Sequence, residues 1–151
     1  MHANTPVVEK FFEQYAQGRT ALDIDLIASQ YPESFMMAGP KGARATQKPA
    51  ILAALDGARG FLNASGHTST SVMSLEQTAL DAQYVLARVL FRWRFERLPA
   101  PPIDVEVHST FILSVSESVP KIVFQLEHED FQESLRAHGV LSAKPAGQAQ
   151  Q

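Results

Sequence analysis

The spacing of apolar positions along the chain changes character once, near residue 71: ahead of it they recur every three or four residues, and beyond it they alternate. Val7, Val8, Phe11, Phe12 and Tyr15 share one helical face, with Thr5 placed as an N-cap, Pro6 in the first turn and Gly18 as a stop. A second short helix is predicted over 22–31, ended by Pro32. Residues 34–38 form an apolar run that breaks at Gly39-Pro40-Lys41-Gly42, which predicts a strand, a tight turn and a weak returning strand at 43–47. A third helix follows Pro49, with Ile51, Leu52, Leu55, Ala58 and Leu62 on one face, and the small, polar stretch 63–71 reads as a loop.

Period-two runs then occupy 72–80, 84–97, 103–115 and 121–130, separated by 80–82, by the proline-rich 98–102 and by 116–120. Residues 131–138 predict a last helical turn, and 142–151 a frayed polar tail. Helices gathered ahead of a run of strands predict an α+β fold, one domain over 1–141 in which the helices cover one face of a bent sheet.

Composition narrows the class. The 151 residues are 45% hydrophobic with a formal charge of −3, which excludes bulk disorder and a phosphate-binding surface. With no cysteine there is no disulfide, no thiolate nucleophile and no Cys-ligated metal. No apolar run reaches the roughly 20 residues of a membrane helix, and residues 1–6 carry no secretory signal. The expectation is a soluble, cytoplasmic domain with neither nucleic-acid nor membrane partners. No phosphate loop or nucleophile elbow is present.

Alternation leaves two readings of the sheet. In 84–97 one face carries Val85, Ala87, Val89, Phe91, Trp93 and Phe95, the other Leu86, Arg88, Leu90, Arg92 and Arg94; in 121–130 Ile122, Phe124, Leu126 and His128 oppose Val123, Gln125, Glu127 and Glu129. Burial statistics put the apolar sets in the core. A one-residue shift would exchange the faces.

The opening helix (residues 7–18), the strand and turn over 35–42, and the closing Lys121-Ile122-Val123 strand running into Asp130 together resemble the nuclear-transport-factor-2-like superfamily, over residues 5–139. That is the cone-shaped fold shared with ketosteroid isomerase, limonene epoxide hydrolase and small polyketide cyclases. The resemblance implies a cone-like curved antiparallel or mixed sheet with the N-terminal helices on its concave face. It also implies the second reading, with Arg88 and Glu127 as catalytic residues inside the cone and a homodimer packed through an outer face bearing Phe91, Trp93, Phe124 and Leu126. The chain departs from the family patterns elsewhere. Leu90 stands for the epoxide hydrolase's second carboxylate, and the segment 35–38 lacks its water-holding tyrosine and asparagine. Phe11, Gly39 and Ser109 stand for the three functional positions of the isomerase.

On this basis Glu127 is the candidate base and Arg88 its electrostatic partner. Tyr15, Met37, Phe61, Arg92, Ser109, Phe111 and Gln125 are the candidate ligand-binding residues, with Arg92 at the pocket entrance. A surface ion pair is the bland alternative for Arg88 and Glu127, as core packing is for the aromatic residues. His108 and His128 fall on neighbouring strands without metal-ligand spacing, so no metal site is expected. The expected function is cofactor-free binding of a small apolar or amphipathic molecule, with cyclase-, hydrolase- or isomerase-like chemistry. The alternative is a filled cone serving as a homodimeric assembly module.

Overall fold

A computed structural model of the chain describes residues 5–142. The elements run α1 (Thr5–Ala21), α2 (Ile24–Ala28), β1 (Ser34–Gly39), β2 (Gly42–Gln47), α3 (Lys48–Ala64), β3 (His67–Ala79), β4 (Tyr84–Phe95), β5 (Ile103–Ser114), β6 (Lys121–Glu127) and α4 (Phe131–Ala137). Helix α1 begins at Thr5 itself; the side-chain cap expected of Thr5 and all but Ser142 of the tail lie outside what is described. No described helix is long and apolar enough to cross a membrane.

One six-stranded mixed sheet has the order β2-β1-β6-β5-β4-β3. Every pairing is antiparallel except that of β1 with β6, which is parallel. The fold is therefore α+β, with the helices on one face of a curled sheet. Val8, Phe11, Phe12 and Tyr15 of α1 are buried together with Val85, Val89 and Phe91 of β4 and Phe111 of β5. The Phe12 ring lies 4.9 Å from that of Phe111, and Tyr15 stacks on Phe91 at 5.0 Å. Such contacts add to the area-based burial that stabilises the core.

The short helix predicted over 22–31 is confined to Ile24–Ala28, β4 and β6 end at Phe95 and Glu127, and two further boundaries differ for a local reason. Helix α1 runs through Gly18 to Ala21 and ends where Leu22 takes a positive φ of 52°. A Cβ at Gly18 would stand 3.1 Å from Ile27 Cγ1, so the glycine admits α2 rather than ending α1. Residues 67–71, expected as loop, begin β3, because pairing with β4 gives their backbone groups partners that their small polar side chains do not advertise.

A single irregularity in β6 decides what faces the helices. Ile122 pairs with Leu113 and Phe124 with Ile112, so Val123 is an extra residue. Ile122 therefore faces inward together with Gln125 and Glu127, and Phe124 and Leu126 face outward. The register of β4 is the simple one: Val85, Ala87, Val89, Phe91 and Phe95 are buried inward, while Arg88 is exposed on the outer face. Each reading from alternation holds for one strand. The expectation that Phe91 and Trp93 lie on the outer surface is corrected: Phe91 is core, and Trp93 packs on Phe131 at 4.7 Å and on His67 at 4.9 Å.

Candidate functional site

Between α1, α3 and the inner face of β1, β4, β5 and β6 lies a cavity of about 310 Å³. Its apolar wall includes Met37, Leu55, Ala58, Phe61, Phe91 and Trp93, and its polar residues are Tyr15, Arg19, Ser109, Gln125, Glu127 and Glu129. A largely apolar wall with a few convergent polar groups is what small-molecule sites require.

The polar groups form one directed chain. Arg19 can only donate, and its Nη2 donates to the Tyr31 hydroxyl at 2.9 Å. Tyr31 in turn donates to Gln125 Oε1 at 2.6 Å, which turns the amide nitrogen toward two acceptors. Gln125 Nε2 donates to the Tyr15 oxygen at 3.1 Å and to Glu127 Oε1 at 2.6 Å. Ser109 Oγ donates to Glu127 Oε2 at 2.6 Å. Glu127 is thus fixed through both oxygens, each keeping a further acceptor position. The Tyr15 oxygen and the Glu127 carboxylate are bound to one nitrogen, so they stand side by side at the cavity wall. The Tyr15 proton is left for the neighbouring Tyr31 oxygen or for an oxygen brought into the cavity.

Burial sets the electrostatics. Arg19 is 3% exposed, and its guanidinium carbon lies 3.6 Å above the centre of the Tyr15 ring. Burial pulls its pKa down, but the tyrosines and Glu127 around it more than offset this, and it stays charged. Burial raises the Tyr15 hydroxyl well above its ordinary value, against the lowering effect of Arg19. Tyr31 shifts in the same direction for the same leading reason. Both tyrosines are therefore hydrogen-bond donors across the physiological range.

Of the expected site residues, Tyr15, Met37, Phe61, Ser109, Gln125 and Glu127 line this cavity. Three do not. Arg88 is on the outer face, in register with Glu76 and Thr110, so the sheet separates it from Glu127. Arg92 is also on that face and bonds Glu106 at 2.9 Å instead of standing at an entrance. Phe111 is wholly buried in the core behind Tyr15. Sequence reasoning missed Arg19 and Tyr31. The signal for Arg19 was the helical spacing Val8, Phe11, Phe12, Tyr15 continued one turn beyond Tyr15, across Gly18. Among the described residues no three His, Asp or Glu side chains converge as a metal site, and His108 instead pairs with Glu129 at 3.0 Å.

No protein-family model and no curated protein matches the sequence. Solved structures do match. An NTF2-like protein with a cystatin-like fold from Novosphingobium aromaticivorans aligns with a TM-score of 0.69 at 12% identity, over 93% of this chain and 90% of that one. A ketosteroid isomerase-like protein from Erwinia carotovora atroseptica gives 0.64 at 12% identity, over 85% and 97%. The beta subunit of a benzoate 1,2-dioxygenase from Burkholderia mallei gives 0.64 at 14% identity, over 88% and 95%. At these identities the likeness is one of architecture. The chain has the cystatin-like fold of the nuclear-transport-factor-2-like proteins.

Proposed function

We propose that the protein binds a small, largely apolar molecule carrying one carbonyl-type oxygen, and moves a proton on it without a cofactor. The observation that carries this is the pairing of Glu127 and Tyr15 on the single Gln125 nitrogen at the wall of an apolar cavity. Glu127 takes the proton from the carbon next to the carbonyl. Tyr15 donates to the oxygen as negative charge develops there, and Arg19 over its ring favours that charge. Return of the proton from Glu127 to the same or a neighbouring carbon completes an isomerase-like cycle. Glu127 keeps the role of base expected from the sequence, and Tyr15 and Arg19 take the place foreseen for Arg88.

A ketone of suitable size, β-tetralone, tests the reading by deuterium exchange at its α-carbon, followed by NMR. Wild-type protein accelerates the exchange, and Glu127→Gln reduces the acceleration by about 10²–10⁴-fold. Equal rates with the two proteins overturn the reading.

Homodimerisation through the outer face is part of the same proposal. Leu86, Leu90, Ile112, Phe124 and Leu126 are each only partly buried there, and Met36 beside them is 40% exposed. An apolar surface of this kind is characteristic of an interface.

A further inference from the structure

Beside the cavity, on the far side of Glu127, lies an open depression of about 610 Å³, and the two share Met37, Ala58, Phe61, Glu127 and Phe131 as lining. The depression lies between the β1–β2 hairpin, α3 and the segment leading into α4. The hairpin is held close to Glu127 because β1 runs parallel to β6, with Ala38 opposite Leu126. The two basic residues lining the depression, Lys41 and Arg44, belong to that hairpin. Arg44 is opposite Met37 in the β1–β2 register and so shares the inner face, and among the described residues it has no ion-pair partner. Lys41 reaches across the mouth to Asp130 at 3.4 Å and is 86% exposed. The Asp130 carboxylate is also occupied, accepting from the Glu133 backbone N–H at 3.1 Å as the N-cap of α4. The two cations of this lining are matched by Glu127 and Asp130, so the mouth is formally neutral; with Lys41 held by Asp130, the exposed Arg44 is the cation left over for a ligand.

We infer that the ligand is an amphipathic anion: its carboxylate or sulfonate sits at Arg44 and Lys41, and its apolar body passes Phe61 and Phe131 to present the reacting oxygen to Glu127 and Tyr15. The inference rests on the reading of the inner cavity as a ligand site. An unpartnered arginine is suited to such a group, since its planar fork matches a carboxylate or sulfonate and no existing ion pair has to be broken. At the inner end the two carboxylates Glu127 and Glu129 outnumber Arg19, which disfavours a full anionic headgroup there and favours its place at Arg44.

The test uses two fluorescent probes with nearly the same aromatic body, anionic anilinonaphthalene sulfonate and neutral N-phenylnaphthylamine. Wild-type protein binds both, and the anion more tightly. Arg44→Glu weakens the anion about fivefold, and adding Lys41→Glu brings the loss to about tenfold or more, with the neutral probe within about twofold of wild type. Salt at about 1 M removes most of the preference. Ala58→Phe, with Ala54→Phe as the variant nearer the surface, fills the cavity and weakens both probes. If both probes lose affinity on filling but the anion ignores the charge reversal, the inference falls and the cavity reading stands. If neither probe responds to filling, both fall.

Discussion

Gln125 is the residue on which the site turns. It accepts from Tyr31 and donates to both Tyr15 and Glu127, so Gln125→Leu, close in volume, leaves several buried polar groups without their partner at once. Unpaired buried groups cost about 1–3 kcal/mol each, and part of that is recovered by relaxation. We expect a loss of about 2–4 kcal/mol in denaturant unfolding, and a change below about 0.5 kcal/mol would contradict the network. A second residue-scale prediction concerns His67, packed between Trp93 and Phe95 and bonded to Thr70 Oγ1 at 3.0 Å. Burial lowers its pKa from 6.5, partly offset by a hydrogen bond with the Ser69 backbone. The unfolded chain then binds a proton before the folded one does. Stability is full above the unfolded value, declines as pH falls below it, and levels off once the folded form also titrates. His67→Gln flattens the decline between about pH 7 and pH 5 measured by urea unfolding, and an unchanged slope assigns it to other groups.

At the scale of elements, the glycines of α3 and of the α3–β3 turn differ in what they permit. A Cβ at Gly57 or Gly60 meets nothing within 4 Å, so alanine at either position stabilises the helix by about 0.5–1 kcal/mol. At Gly66, with φ +86°, a Cβ would stand 2.5 Å from the Glu96 carbonyl oxygen, and Glu96 N–H donates to the Gly66 oxygen at 2.8 Å. Gly66→Ala is expected to cost more than about 2 kcal/mol by thermal unfolding. Parallel gains at all three positions would contradict the placement of this turn. The same scale explains what the sequence disclosed. Helical and alternating periods located α1, α3 and most of β3 to β6, because burial of one face imposes its period directly. Strands β1 and β2 were legible instead through an apolar run and its turn. The extra residue at Val123 left no such trace: Ile122, Val123 and Phe124 are all apolar, so alternation there reads equally well in either register. The pairing of Arg88 with Glu127 came from the family resemblance, which put both inside the cone; the extra residue in β6 brings only Glu127 there. Arg19 was lost for another reason, a glycine that reads as a helix stop when its neighbour across the packing is unknown.

At the scale of the whole molecule, the two faces of the sheet differ in character. Its inner face carries the cavity, while its outer face carries the apolar strip of Leu86, Ile112, Phe124 and Leu126 beside the ion pairs Arg92–Glu106 and Arg94–Asp104, both at 2.9 Å. If the proposed dimer forms through this face, wild-type protein sediments at twice the chain mass and Phe124→Glu at the mass of one chain, with binding in the cavity unaltered; a dimer that persists in the variant would remove the outer face from the proposal. Trp93→Glu, in contrast, strikes the cavity wall and leaves the outer face unchanged. The central claim is that the inner cavity is a ligand site, and Trp93, the sole tryptophan of the chain, lines it. The most direct measurement excites Trp93 and follows sensitised emission from N-phenylnaphthylamine as the probe is titrated in. A ligand site in this cavity gives saturation at one probe per chain and displacement by β-tetralone. Emission that neither saturates nor yields to the ketone would contradict the claim.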